Sequence, residues 1–172
     1  MNKVKSISLV LALLLAISLL LSGCGLLKSA YEGKSKIFTS ENVEITLTDS
    51  FYEQDDEGYY EFFYYSSTAG VICNSEKKSE LLGTTTWTLE KYAELTRESL
   101  DSDMTSQDVC TIDGLVVLEC SWVDEDGDEW TYFLTFFETE GYFWTVQFHC
   151  LSEEYEVHKP YFVEWAKTVK FI

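Results

Sequence analysis

The chain has 172 residues, 16% of them aromatic, and carries 30 acidic against 12 basic side chains, for a formal charge of −18. That length gives room for one domain with a sizeable core of its own. A field of this sign repels phosphate backbones and anionic headgroups, which argues against nucleic acid and favours cationic partners or divalent ions; it also simply keeps a protein soluble.

The first segment, MNKVKSISLVLALLLAISLLLSGCG, places Lys3 and Lys5 ahead of an apolar run from Ile7 to Leu21. At about 1.5 Å per residue the run is too short to cross a hydrocarbon core of roughly 30 Å, and it has the form of an export signal. Leu21-Ser22-Gly23-Cys24 resembles the bacterial lipobox at all four positions. The resemblance implies cleavage before Cys24, a diacylglycerol thioether on its sulfur, and a lipid-anchored protein on the extracytoplasmic face of the cell membrane. Two acyl chains make such attachment durable without a transmembrane helix. The alternative is an ordinary secretory signal with an incidental cysteine. Residues 1–23 hold two lysines and no acid, so their removal leaves a charge of −20 on 149 residues. Residues 24–35 then read as the lipidated N-terminus and a short tether, and 36–172 as a single domain.

Within that domain VEITLT (Val43 to Thr48) alternates apolar and polar residues, and YYEFFYY and AGVIC follow after acidic, turn-like stretches, which predicts three strands. In TLEKYAELTRESL, Thr88 suits a helix N-cap and Glu90 the positive first turn, and Leu89, Tyr92, Ala93, Thr96 and Leu100 share one helical face. From Asp108 the period becomes two, punctuated by Asp113-Gly114, Asp126-Gly127 and Glu140-Gly141, which predicts an antiparallel meander of four strands. Two-residue turns at the last two sites would place Val116, Leu118, Cys120, Trp122, Phe133, Phe137, Trp144, Val146, Phe148 and Cys150 on one core face. The opposite, mixed face would hold Val117, Glu119, Ser121, Trp130, Tyr132, Leu134, Gln147 and His149. Pro160 suits a first helical residue, with Phe162, Trp165, Ala166 and Val169 at helical spacing behind it.

The order of KIFTSENVEITLTDSF, a strand pair, WTLEKYAELTRESL, a meander whose first turn is IDG, and PYFVEWAKTVKFI resembles the PsbP-like superfamily over about residues 36–172. That resemblance implies an α+β fold, an antiparallel sheet with helices packed on its faces as an α/β/α sandwich. It implies no shared catalytic residues, and a role in binding or in stabilising other assemblies.

Catalytic constellations are sparse. His149 and Cys150 are neighbours on a strand and point to opposite faces, which disfavours a nucleophilic pair. Ser121 and His149 share the mixed face in the expected register but lie two strands apart, about 9 to 10 Å. DEDGDE (Asp124 to Glu129) invites a calcium reading, yet an EF-hand loop opening at Asp124 would have Glu129 and Thr135 where Gly and Glu are needed, so a solvated hairpin turn fits better. Cys73, Cys110, Cys120 and Cys150 form an even set without C-x-x-C spacing; the register places Cys120 and Cys150 on one face with a strand between them, so at most one bridge, involving Cys73, is open, and buried reduced thiols are expected.

These readings favour a lipid-anchored, non-enzymatic envelope module that binds an envelope protein or glycan, with no cofactor beyond the lipid on Cys24. A small hydrolase with unidentified carboxylate chemistry and a metal- or ligand-binding lipoprotein are the alternatives. The candidate binding patch is Glu119, Ser121, Trp130, Tyr132 and His149, where flat rings adjoin hydrogen-bonding groups. The competing expectation is that a helix covers these rings.

Overall fold

The structure, a computed structural model, describes residues 33–55, 58–81 and 87–172. The export signal, Cys24 and most of the tether lie outside the described residues. No helix among the described residues is long and apolar enough to cross a membrane.

Among the described residues, short alternating segments give eleven strands, all paired antiparallel. β1 (Ser35–Thr39), β2 (Val43–Thr48) and β11 (Lys170–Phe171) form a small sheet in the order β1-β2-β11. The larger sheet runs β3-β4-β5-β10-β9-β8-β6, with β7 also on β8. Its strands are β3 (Tyr52–Glu53), β4 (Phe62–Tyr65), β5 (Gly70–Lys77), β6 (Thr105–Ser106), β7 (Cys110–Ile112), β8 (Leu115–Val123), β9 (Glu129–Glu138) and β10 (Tyr142–Leu151). Helix α1 spans Leu89–Glu98, and the Thr88 side chain caps it by accepting from Lys91 N at 3.2 Å. Helix α2 spans Tyr155–Ala166.

The large sheet is buried on both sides. Against one face pack the small sheet and α2, joining Val43, Ile45 and Leu47 to Val71, Phe133, Val146, Phe148 and Phe162 in one core. Against the other lies α1, whose Tyr92 and Ala93 meet Val116, Leu118, Leu134, Phe136 and Phe143. This is an α+β architecture with one helix on each face of an antiparallel sheet, as expected.

Two of the three Gly turns behave as read. Asp113 and Gly114, at φ 51° and 86°, form a two-residue turn that pairs Ile112 with Leu115. Glu140 and Gly141 likewise close on Thr139 N donating to Tyr142 O at 3.0 Å. The middle hairpin differs. Its loop holds three residues, Glu125, Asp126 and Gly127, between the paired Asp124 and Asp128, with Gly127 at φ 90°. A turn followed by one left-handed glycine is the usual three-residue solution. Asp124 builds it, one carboxylate oxygen accepting from Asp126 N and Asp128 N and the other from Trp130 Nε1.

That single extra residue corrects the expected faces. Because side chains alternate with period two, it turns all of β8 over relative to β9 and β10. Val116, Leu118, Cys120 and Trp122 therefore lie with Phe136, Leu134, Tyr132 and Trp130 on the α1 face, and Val117, Glu119 and Ser121 lie with Thr135, Phe133 and Thr131 on the α2 face. Cys120 and Cys150 accordingly stand on opposite faces, not on one. All four described cysteines are free, three of them buried and Cys110 exposed. Burial pushes the Cys120 thiol up to about 11 and the Cys150 thiol to about 12.

Pro160 is also corrected: it lies inside α2, not at its start. Tyr155 and His158, at 7% and 1% exposure, draw the preceding turn into the core. Pro160 and Glu156, whose carbonyl the proline leaves without its helical donor, are both exposed, so that carbonyl lies in a part of the helix open to solvent.

Candidate functional site

The register aligns side chains into rows across the α1 face. One row crosses the sheet as Cys120, Tyr132, His149, Gly70, Tyr65 and Tyr52, and a shorter one beside it is Trp122, Trp130 and Leu151. α1 packs chiefly on β8 and β9, over rows further along the strands. It leaves the ring-bearing row half-buried.

His149 is the centre of that row. Ring centroids of Tyr132, Trp130, Tyr65 and Phe63 lie 5.8, 6.0, 6.0 and 6.5 Å from its own. Its imidazole lies over Gly70, where a Cβ would come within 2.3 Å of Cε1 and Nε2. Only glycine allows this approach, since the backbone there is ordinary and the steric demand is the ring itself. At 9% exposure the ring is desolvated, which pushes its pKa down to about 4 and keeps it neutral at physiological pH. Beyond the four neighbours, Tyr52 and Tyr60 extend the run of rings, at 6.4 Å from Tyr65 and 6.1 Å from Phe63.

Carboxylates rim the rings. Asp124 holds the Trp130 indole at 3.0 Å, and Asp103 holds the Trp122 indole at 3.2 Å. The Trp130 bond, followed by backbone donors in the loop, keeps the Asp124 carboxyl below its usual range. Between the end of α1 and the sheet opens a cleft of about 340 Å³ lined by Leu100, Asp101, Met104, Trp122, Tyr132 and Gln147.

The candidate patch is thus divided. Trp130, Tyr132 and His149 come together as expected, but Glu119 and Ser121 lie on the opposite face. Ser121 and His149 are therefore separated by the sheet itself, which removes the serine and histidine pairing weighed from sequence. Ser121 Oγ is 3.3 Å from Thr105 Oγ1. Glu119 accepts from Tyr155 Oη at 2.5 Å and from Lys159 Nζ at 2.8 and 3.0 Å. Burial first, and then the Glu119 carboxylate, push the Tyr155 hydroxyl well up. These groups line a second, polar cleft of about 610 Å³ with Cys110 and Thr131. Among the described residues, no three His, Cys, Asp or Glu side chains converge to hold a metal ion.

Sequence reasoning missed Phe63, Tyr65, Gly70 and Trp122 as members of the ring-bearing face. The first two were legible, because β4 alternates Phe62 and Tyr64 inward with Phe63 and Tyr65 outward. Gly70 carried no signal without the pairing of β5 with β10.

No protein-family model matches the chain, and no curated protein does. Among solved structures, the chain is similar to the cyanobacterial PsbP protein CyanoP of Synechocystis sp. PCC 6803, at TM-score 0.52 and 10% identity over 81% of this chain and 94% of that one. A protein of Bacteroides thetaiotaomicron matches at TM-score 0.49 and 14% identity over 82% of this chain and 49% of that one. LpqN of Mycobacterium tuberculosis, which is involved in cell envelope biogenesis, matches at TM-score 0.46 and 9% identity over 80% of this chain and 90% of that one. The likeness to CyanoP carries the fold alone: the domain has a PsbP-like fold, as the order of its elements implied.

Proposed function

We propose that this chain is a lipid-anchored extracytoplasmic binding module without catalytic activity, and that the ring-bearing face around His149 is its contact surface for an envelope protein or glycan. One observation carries the choice of surface: Phe63, Tyr65, Trp130 and Tyr132 surround His149 on a part of the sheet that α1 leaves half-open. Large rigid rings give contact area at low entropic cost, and such rings anchor many interfaces. The lipobox supports the anchorage. β1, where the tether joins the domain, belongs to the layer on the other face of the large sheet, so the rings are presented on the side away from that junction.

Two experiments test this reading. Cys24→Ala keeps the apolar signal and removes the acceptor sulfur, so incorporation of labelled fatty acid and membrane retention should both be lost; their persistence would refute the anchor. A photo-crosslinking phenylalanine analogue at Tyr65 or Tyr132 should yield adducts in intact cells, whereas the same analogue at Glu164, exposed on α2, should not. Equal adducts at all three positions would sink the assignment of the surface.

A further inference from the structure

The cleft beside the ring-bearing row has a chemical preference of its own. Its walls include the rings of Trp122 and Tyr132 and Asp101, and Asp103 accepts from the Trp122 indole N–H at 3.2 Å. α1 ends at its mouth: Ser99 is the C-cap, Leu100 and Asp101 line the cleft, and helix C-termini carry partial negative charge. Arg97, in the last turn, does not offset this, because its guanidinium is held by Glu94 at 2.9 Å and faces Asp108 at 3.8 Å. On this face β4, β5, β8, β9 and β10 place no lysine or arginine. Indole and phenol rings attract cations over their faces, and the whole chain's field adds to that attraction.

We infer that this cleft and the adjoining rings seat a lysine- or arginine-bearing segment of a protein partner, with a cationic side chain laid over Trp122 and Tyr132 and its charge met by Asp101 and Asp103. The inference rests on the proposal that this face is the contact surface, and it names the chemistry of the occupant. Gln147, half-buried on the cleft floor, supplies an amide that can donate to and accept from the segment's backbone. A neutral glycan would use the rings but neither the carboxylates nor the field. An anionic partner would oppose both.

The test uses the full chain in detergent micelles at near-physiological salt. Its probes are a fluorescent lysine–serine repeat peptide, the same peptide with every lysine acetylated, and a neutral N-acetylhexosamine oligomer. The lysine peptide should bind, and acetylation should weaken it at least about tenfold. Trp122→Ala should weaken it by about three- to thirtyfold, the range of a cation–π contact. Asp101→Asn with Asp103→Asn, both exposed and with an amide oxygen at 103 still able to accept from the Trp122 indole, should act in the same direction. Glu156→Gln with Glu164→Gln removes the same formal charge from exposed positions of α2, on the other face of the sheet, and should leave binding within about twofold. Equal weakening by the two charge pairs would reduce the effect to the bulk field and overturn the inference. So would binding of the oligomer in place of the lysine peptide. Adducts at Tyr65 and Tyr132 without peptide binding would overturn the occupant and leave the surface standing.

Discussion

The imidazole of His149 occupies the space that a side chain on Gly70 would need, 2.3 Å from the position of its Cβ. Two adjacent strands thereby share one layer of side chains at that point, and four rings flank the imidazole there. Gly70→Ala should destabilise the domain by about 1–3 kcal/mol, as overpacking does, measured by urea denaturation. His149→Ala removes the obstruction, so the double variant should lose less than the sum of the two single ones; strict additivity would refute the steric account.

Acid should act through the same residue. Burial holds His149 neutral, with a folded pKa of about 4 against 6.5 in the open chain, so proton uptake favours unfolding. Its contribution is fully present above about pH 6.5 and is lost as pH falls toward about 4, the loss being on the order of 2–3 kcal/mol at about pH 4.5. His149→Gln should lose correspondingly less stability between about pH 7 and about pH 4.5. His158 is shifted down by burial too, but it is common to both proteins and cancels in the difference. Identical pH profiles would contradict the assignment.

Tyr92 fastens α1 to the sheet. Its ring stacks on Phe143 at 4.5 Å and 9°, meets Phe136 edge-on at 5.8 Å, and its hydroxyl donates to Glu76. Tyr92→Ala should cost about 3–5 kcal/mol, the range for core aromatics, and should release α1, seen as early amide exchange in Leu89–Glu98.

Tyr132→Ala should be milder. The ring is half-buried against His149, so about 1–2 kcal/mol is expected by thermal melting, with the fold retained. A loss as large as that for Tyr92 would make Tyr132 plain core and leave the contact surface without one of its anchors.

On the far face, Tyr155→Phe strips a charge-assisted hydrogen bond from Glu119, a carboxylate whose side chain is only 17% exposed. Loss of about 1.5–3 kcal/mol is expected on denaturation at neutral pH. An unchanged midpoint would show that Lys159 alone satisfies the carboxylate.

Much of this architecture was legible. Thr88 and the stripe through Tyr92 and Ala93 located α1, and alternation with Gly turns located β8, β9 and β10, because these signals are local. Pairing across strands is not local. Leu115 to Leu118 is apolar without a break, since both faces of β8 are buried, so nothing in that stretch says which face is which. The face had to be inferred from the turn, and Asp126-Gly127 looks the same as the last two residues of a three-residue loop as it does as a two-residue one. Trp130, Tyr132 and His149 survived the error because they lie on β9 and β10, beyond the misread turn; Glu119 and Ser121, on β8, did not.

The hairpin built by Asp124 bears on what can vary in this chain. Glu125 and Asp126 are exposed and contribute little beyond backbone, so many residues would serve there. The number of residues is another matter. Losing or gaining one between Asp124 and Asp128 would exchange Leu118 and Glu119 across the sheet, sending a carboxylate into the α1 core and stranding Tyr155 and Lys159. Related sequences that keep this fold should therefore drift freely in composition at this loop while conserving its length, or change length only by pairs.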